Sequence, residues 1–148
     1  GDIDPAPPTV GVLGDLAFYH DMNGLLAARS LTLPVVFVVI NNGYLGMVRQ
    51  WQSLFYEDRL SQVALPQDLP DLVKLADAYG IPGFRIERIE DLRTTLEKAH
   101  AITDQPVLVE CRVDPDEMVF PMVPAGASND ELIESAGEWY ARVAALEA

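Results

Sequence analysis

Two stretches of the sequence decide the fold class: GVLGDLAFYH at residues 11–20 and VVINNGYLGM at residues 38–47. Each stretch begins as an apolar run and then turns polar, at Asp15 in the first and at Asn41 and Asn42 in the second. Apolar runs without alternation are typical of strands that are covered on both faces, as in a parallel sheet. Because parallel strands bring their carboxyl ends to one edge of the sheet, we expect these polar side chains to share a rim.

Strand-like and helix-like segments alternate along the chain. The predicted strands are Thr9–Leu13, which is expected to be buried, Pro34–Ile40, Gly83–Glu87 and Pro106–Val113. The predicted helices are Asp21–Arg29 with Asp21 as its N-cap, the end of Gly43–Phe55, Asp71–Tyr79, Asp91–Ile102 and about Glu131–Leu146, with Tyr56–Pro70 irregular. This order predicts an α/β fold, a parallel sheet with helices on both faces, in a single domain over residues 1–148.

Composition and charge narrow the function class. Of the 148 residues, 49% are hydrophobic and 22% are charged, which is typical of a soluble globular protein. The formal net charge of −13 argues against a nucleic-acid partner, because nucleic-acid binding needs a basic surface. The longest apolar stretch, LPVVFVVI at residues 33–40, is too short to cross a bilayer, so no membrane partner is expected.

The single cysteine and the first residues lead to two further expectations. Cys111, within the apolar run VLVECRV, excludes an internal disulfide and is expected to be a buried core residue. A reducing cytoplasm is therefore the expected location. The opening residues GDIDPAPPTV lead directly into a strand, and we expect the sequence to be a fragment or one domain of a longer chain.

Asp15 and Asn42 offer the chemistry of a magnesium site. Carboxylate and amide oxygens are hard ligands that suit Mg²⁺, which commonly completes its octahedron with waters and substrate phosphates. The loop after Asn42 offers a backbone carbonyl, and the helix that follows has free N–H groups that favour an anion. The residues therefore suggest a site for a diphosphate and Mg²⁺. Taken singly, Gly-Asp and Asn-Asn-Gly are also common turn sequences, so that alternative stays open.

The spacing of these residues resembles the thiamine diphosphate motif, in which GDG is followed by a spacer and then NN. Here the 24 residues 17–40 separate Gly14-Asp15-Leu16 from Asn41-Asn42, with Leu16 in place of the second glycine of GDG. The resemblance implies a thiamine diphosphate-binding fold in which Asp15, Asn42 and the Tyr44 carbonyl hold Mg²⁺. The cofactor-binding residues that it implies are Gly14, Asp15, Leu16, Ala17, Asn42, Tyr44, Leu45, Gly46 and Met47.

Three further segments resemble the acetohydroxyacid synthase (acetolactate synthase) large subunit. They are GYLGMVRQWQSLFYEDRLS, IPGFRIERIEDLRTTLEKA and FPMVPAGASNDELI. This resemblance implies a thiamine diphosphate-dependent transferase or lyase of branched-chain amino acid biosynthesis. It would decarboxylate pyruvate and join the two-carbon unit to a second 2-keto acid. Met47 and Trp51 would face these substrates, with the Trp51 ring limiting the space for the second; by spacing alone they would be core residues on one helix face.

The same resemblance implies that the catalytic machinery is shared with other parts of the protein. No residue of this chain is assigned a catalytic role, because the activating glutamate is expected on a pyrimidine-binding domain of the same or another subunit. The isolated domain is therefore expected to be inactive, and the full protein is expected to be a homo-oligomer. FAD is expected only in a full-length parent.

Other functions remain open on the residues. GDLAFYHDMNGLLAA at residues 14–28 is more similar to the menaquinone-pathway synthase, which uses the same cofactor. A 2-keto acid decarboxylase is a second thiamine diphosphate enzyme that fits the motif. An alternative of another class is a non-catalytic α/β assembly domain whose cofactor site is vestigial.

Overall fold

The computed structural model describes residues 9–146 and shows two compact units within them. Unit 1 comprises the residues up to Gly43 together with Leu65–Asp114. Unit 2 comprises Tyr44–Ala64 together with the residues from Pro115 onward. The assignment of residues 1–148 to a single domain stays a prediction.

Unit 1 is built on a parallel four-stranded sheet. Its strands are β1 (Thr9–Gly14), β2 (Val35–Asn41), β3 (Gly83–Ile86) and β4 (Val107–Arg112). The strand order is β1-β2-β4-β3, and every neighbouring pair is parallel. The end of β1 lies beside the end of β2, with Gly14 as the register partner of Ile40. The two strands that carry the polar ends are therefore neighbours, and the predicted parallel α/β sheet is confirmed.

The residues that the structure describes form six α-helices. Unit 1 contains α1 (Asp15–His20), α2 (Gly24–Ser30), α4 (Leu72–Ala78) and α5 (Ile89–His100). Unit 2 contains α3 (Gly46–Phe55), α6 (Ala136–Leu146) and a 3₁₀ turn at Asn129–Glu131. None of these described helices has the length and apolar character that crossing a membrane requires.

Helices cover both faces of the sheet, as the apolar strand sequences predict. One core joins α1, α2 and α4 to the sheet, and its buried members are Phe18, Leu25, Val39, Leu72, Ala76, Ile81 and Leu108. The other core lies under α5, and its buried members are Val36, Val38, Ile86, Ala99, Val107, Val109 and Cys111. Neighbouring residues of β2 thus enter opposite cores, which is why its sequence is a continuous apolar run. Cys111 is buried, as predicted.

The prediction that β1 is a buried strand is wrong. Val10 and Val12 keep 53% and 68% of their surface exposed. The strand order gives the physical reason, because β1 lies at an edge of the described sheet and α5 packs on β3 and β4. The apolar run of β1 therefore correctly indicates a strand, but this strand is not covered on both faces.

The start of the helical region after β1 also differs from the prediction. Residues 15–20 form α1, for which the sequence pattern gives no prediction. Asp21 is the C-cap of α1 and does not cap α2 as predicted. The N-cap of α2 is Asn23, whose side chain makes no capping hydrogen bond. The chain enters α1 directly at the end of the strand, so Asp21 ends this first helix and α2 begins three residues later, at Gly24.

The closing helix begins later than predicted. It starts at Ala136, whereas the sequence pattern predicts a start near Glu131. Ser128 caps a separate 3₁₀ turn by accepting the N–H of Asp130, and the Glu131 side chain accepts the N–H of Ser128 in return. This reciprocal capping box belongs to the 3₁₀ turn, which does not continue into α6.

Contacts between α3 and α6 stabilise unit 2. Trp139 of α6 donates its indole N–H to the carbonyl of Leu54 in α3 at 2.7 Å. The Phe55 ring packs edge-on against Trp139 and Trp51, with ring centroids 5.1 and 5.4 Å away. These aromatic contacts bury large apolar side chains, and such pairs typically contribute about 0.5–1.5 kcal/mol beyond burial.

Asp71 joins α4 to β3 in unit 1. One of its carboxylate oxygens accepts the N–H groups of Val73 and Lys74, both at 3.0 Å, and so caps α4. The other oxygen accepts a hydrogen bond from the Arg85 guanidinium at 2.6 Å. The hydrogen bond from Arg85 and then that from the Lys74 N–H hold the pKa of Asp71 below its usual value.

We expect Asp71→Asn to destabilise the protein at neutral pH but not in acid. The substitution keeps a capping oxygen and removes the charge that pairs with Arg85, a partly exposed contact that contributes up to about 1 kcal/mol. Because the folded-state pKa is depressed, the carboxylate stabilises the fold above its usual pKa of 3.8 and loses this effect as the pH falls through the folded-state pKa. Urea unfolding at a series of pH values from about 7 downward through the folded-state pKa measures the difference, and a difference that does not shrink as the pH falls contradicts the ion-pair explanation.

Candidate functional site

Asp15 lies at the carboxyl end of β1 as the first residue of α1, with 4% of its surface exposed. Its carboxylate accepts two backbone N–H groups, from Leu16 at 2.7 Å and from Gly43 at 2.8 Å. Gly43 belongs to the loop that follows β2. The expectation that the polar ends of β1 and β2 share one rim is therefore confirmed.

The loop of Asn41, Asn42 and Gly43 turns sharply at the end of β2. Gly43 adopts a φ of 70°, a left-handed conformation that favours glycine. The Asn41 side chain donates an N–H to Glu110 at 2.6 Å and accepts the N–H of Gly43 at 3.1 Å. Asn42 has a half-buried side chain and lies between these two anchored residues. The loop is therefore held on one side by Asp15 and on the other by Glu110.

The donor set at this rim fits a divalent cation. Within residues 9–146, no lysine, arginine or histidine forms an ion pair with the Asp15 carboxylate. A buried carboxylate without a cationic partner is unfavourable, so a bound cation would stabilise this arrangement. No cluster of three or more His, Cys, Asp or Glu side chains in the described part of the chain could hold a metal ion. A cation here would therefore be shared between Asp15 and amide, carbonyl or ligand oxygens, which is the preference of Mg²⁺.

Glu110 of β4 is buried beside the loop and is not among the residues that the sequence pattern predicts for the site. Its exposed fraction is 1%. Besides Asn41, its carboxylate pairs with Arg85 and Arg112, each at 2.7 Å. The sequence does contain one indication of this role, because Glu110 is the one acid in the apolar run VLVECRV. A charged residue is almost never fully buried unless it is paired.

Tyr19 of α1 lies near this loop, in surroundings that raise its pKa. Burial raises the pKa of Tyr19, and the charges of Glu110 and Asp15 raise it further. The Tyr19 hydroxyl donates to the Pro70 carbonyl at 2.7 Å. A cavity of about 280 Å³ borders the loop, with Tyr19, Asn41 and Glu110 among its lining residues.

Tyr44, Leu45 and Gly46 begin unit 2 and lead into α3. Tyr44 pairs with Ala64 in an antiparallel bridge, and Leu45 donates its N–H to the Val63 carbonyl at 2.8 Å. Leu45 is the N-cap of α3, and no side chain caps this helix. The first N–H groups of an uncapped helix are suited to an anionic ligand.

Met47 and Trp51 lie four residues apart on α3. Met47 is exposed over 53% of its surface, so the alternative that it is a core residue is wrong. Trp51 is half-buried against Phe55. Met47, Trp51, Val48 and Tyr56 line one open pocket. The helix thus presents apolar side chains to a surface of unit 2, and their substrate-facing role stays a prediction.

The predicted site residues fall into two sets. Unit 1 contains Gly14, Asp15, Leu16, Ala17 and Asn42, and unit 2 contains Tyr44, Leu45, Gly46, Met47 and Trp51. Within unit 1, the hydrogen bonds of Asp15 bring the start of α1 and the loop after β2 together. The assignment of both sets to one cofactor stays a prediction.

Known proteins similar to this chain include acetolactate synthases. The chain is 46% identical over 127 residues to an acetolactate synthase from Mycobacterium avium, and the match covers 84% of this chain and 20% of that protein. It is 49% identical over 127 residues to an acetolactate synthase from Mycobacterium leprae, with the same coverage of 84% and 20%. The chain therefore spans about a fifth of the length of these curated relatives.

A solved structure has the same fold. The thiamine diphosphate-dependent 4-hydroxybenzoylformate decarboxylase from Rhodococcus jostii RHA1 matches with a TM-score of 0.66 and 30% sequence identity. The match covers 78% of this chain and 21% of that chain. The thiamine diphosphate-binding fold that the motif implies is therefore confirmed.

A family model accounts for most of the chain. The model of the thiamine pyrophosphate enzyme C-terminal TPP binding domain matches residues 3–111. This span contains β1, β2, β3 and both ends of the rim, Asp15 and Gly43. The chain belongs to the thiamine pyrophosphate enzymes, as a C-terminal TPP-binding domain.

Proposed function

We propose that this chain binds Mg²⁺ and the diphosphate of thiamine diphosphate as a domain of a carboligase of the acetolactate synthase type. The observation that carries the proposal is the buried Asp15 carboxylate, which contacts the loop after β2 and has no cationic partner among residues 9–146. Membership of the family supports the cofactor. The acetolactate synthases at 46% and 49% identity support the reaction class.

In this proposal, Mg²⁺ is held by the Asp15 carboxylate, the Asn42 side chain and the Tyr44 carbonyl. Water and diphosphate oxygens complete the octahedron. The cofactor contacts are assigned to Gly14, Asp15, Leu16, Ala17, Asn42, Tyr44, Leu45, Gly46 and Met47. The uncapped start of α3 supports this assignment, because helix N-termini favour anions.

In this proposal, the chain binds and orients thiamine diphosphate. The cofactor would supply the electron sink that decarboxylation of a 2-keto acid needs. Met47 and Trp51 would face the 2-keto acids and exclude water from them. The size of the Trp51 ring would limit the second substrate, and one methylene in such a pocket is worth about 1–3 kcal/mol. No catalytic residue is assigned within this chain, so the activating glutamate is placed on a pyrimidine-binding domain of the same or another subunit.

The rest of the proposal concerns the intact protein that contains this chain. We place it in branched-chain amino acid biosynthesis in the cytoplasm, as a homo-oligomer that acts on small 2-keto acids. FAD belongs to the proposal only for a full-length parent. The isolated domain should bind weakly and should not convert pyruvate, because the activating glutamate is outside it.

A second candidate function is decarboxylation of a 2-keto acid without ligation. The observation that favours it is the match to the Rhodococcus jostii decarboxylase at 30% identity. A menaquinone-pathway synthase and a non-catalytic assembly domain remain as further alternatives. The reaction products distinguish the carboligase, the decarboxylase and the menaquinone-pathway synthase from one another. Binding of the cofactor distinguishes these three enzymes from the assembly domain.

We expect Asp15→Asn to abolish Mg²⁺-dependent binding of thiamine diphosphate. The substitution keeps the size of the side chain and removes the negative charge that would face the cation. Loss of a charged direct ligand should weaken Mg²⁺ binding by more than the ~10–100-fold that is typical of an outer-shell partner. Titration calorimetry of the intact protein with thiamine diphosphate and Mg²⁺ measures this loss.

Asp21→Asn is the matched control, because Asp21 is an exposed acid at the end of the same helix. The control variant should bind the cofactor and Mg²⁺ as the unsubstituted protein does. Unchanged heat of binding in Asp15→Asn would contradict the metal assignment. Absence of binding in the unsubstituted protein would instead favour the assembly-domain alternative.

We expect the intact protein to convert pyruvate into acetolactate and to release one CO₂ for every two pyruvate molecules consumed. Ligation uses the second pyruvate as the acceptor, so it is consumed without losing its carboxylate. A decarboxylase would release one CO₂ for each pyruvate and form the aldehyde. Measurement of CO₂ and acetolactate against pyruvate consumed distinguishes the two, and a one-to-one ratio without acetolactate contradicts the carboligase.

A further inference from the structure

We propose that Glu110 is a positioning residue for the candidate metal site, which it controls through the orientation of the Asn41 side chain. This inference rests on the proposed function, because it explains how the loop that carries Asn42 is held ready for a cation. Glu110 itself touches neither the predicted metal ligands nor the cofactor-binding residues in any contact described for it.

The Glu110 carboxylate determines which way the Asn41 amide points. An ionised carboxylate only accepts hydrogen bonds, so the Asn41 N–H₂ group must face Glu110, at 2.6 Å. The amide oxygen of Asn41 then faces the opposite way and accepts the N–H of Gly43 at 3.1 Å. A flipped amide would direct its N–H₂ group at the Gly43 N–H, and two donors would meet without an acceptor.

The Gly43 N–H links the Asn41 side chain to the candidate metal site. It is shared between the Asn41 oxygen and the Asp15 carboxylate, which accepts it at 2.8 Å. Glu110 of β4, Asn41 at the end of β2, Gly43 of the following loop and Asp15 at the start of α1 thus form one continuous series of hydrogen bonds. Asn42 lies between the two loop residues of this series, so its position follows from theirs.

Two arginines hold the Glu110 carboxylate in place. Arg85 and Arg112 each donate to its carboxylate at 2.7 Å, although Glu110 is only 1% exposed. Arg85 is also held by Asp71, at 2.6 Å. Pairing with two cations compensates for the burial of this carboxylate and fixes its position beside Asn41. Asp71 belongs to the same ion-pair network but makes no described contact with Asn41, which makes it a suitable control.

The test compares Glu110→Met, Asn41→Leu and the double variant in the intact protein. Both single substitutions remove the hydrogen bond between Glu110 and Asn41 and keep a side chain of similar size. Each should weaken Mg²⁺ binding at saturating thiamine diphosphate by about 10–100-fold, as for other outer-shell partners. The double variant should bind Mg²⁺ as tightly as the single variant with the lower affinity, because Glu110 acts through Asn41. Titration calorimetry measures the three dissociation constants.

A structural role alone would give a different pattern. Asp71→Asn loses stability through the same ion-pair network, and its Mg²⁺ dissociation constant should stay within about twofold of that of the unsubstituted protein. Hydrogen exchange at the Gly43 amide, measured without cofactor or metal, should accelerate in Glu110→Met and in Asn41→Leu but not in Asp71→Asn.

Several results would overturn the inference. They are an unchanged Mg²⁺ dissociation constant in either single variant, additive losses in the double variant, and an equal loss of affinity in Asp71→Asn. If Glu110→Met does not fold, Asn41→Leu decides alone, because it leaves Glu110 paired with both arginines. Absence of Mg²⁺ binding in the unsubstituted protein would instead contradict the proposed function, so the two failures are distinguishable.

Discussion

One N–H group joins the two sides of the candidate metal site. The Gly43 N–H lies 2.8 Å from the Asp15 carboxylate and 3.1 Å from the Asn41 side-chain oxygen, so the end of β1 and the loop after β2 share it. Hydrogen bonds from N–H groups satisfy the carboxylate without neutralising it, and no side-chain cation among residues 9–146 does so. Hydrogen bonds within the protein therefore hold the candidate site in shape, and its carboxylate has no side-chain cation among these residues to neutralise it.

The rim could be predicted from the sequence because it depends on local pattern and on parallel strand direction. Asp15 and Asn42 each follow an apolar run, and parallel strands place such positions at one edge of the sheet. The partner of Asn41 could not be predicted in the same way. A lone acid in VLVECRV indicates that Glu110 is paired, but its partner depends on the strand order β1-β2-β4-β3, which no local pattern encodes.

The wrong predictions also have causes in tertiary structure. Val10 and Val12 have the sequence pattern of buried strand residues, yet β1 lies at an edge of the described sheet and they are exposed. Asp21 precedes an apolar helix as an N-cap would, yet the chain has already entered α1 at Asp15. Met47 has the spacing of a core residue, yet it is mostly exposed, so helical spacing alone did not identify a buried position.

The most direct measurement is a crystal structure of the intact protein with thiamine diphosphate and Mn²⁺, which substitutes for Mg²⁺ and is located by its anomalous scattering. If Asp15 and Asn42 share the cation, it should lie about 2.0–2.2 Å from a carboxylate oxygen of Asp15 and from the side-chain oxygen of Asn42. The Gly43 N–H should still donate to the Asp15 carboxylate, as it does here. A cation that is bound to the diphosphate but beyond coordination distance of both side chains would contradict the assignment.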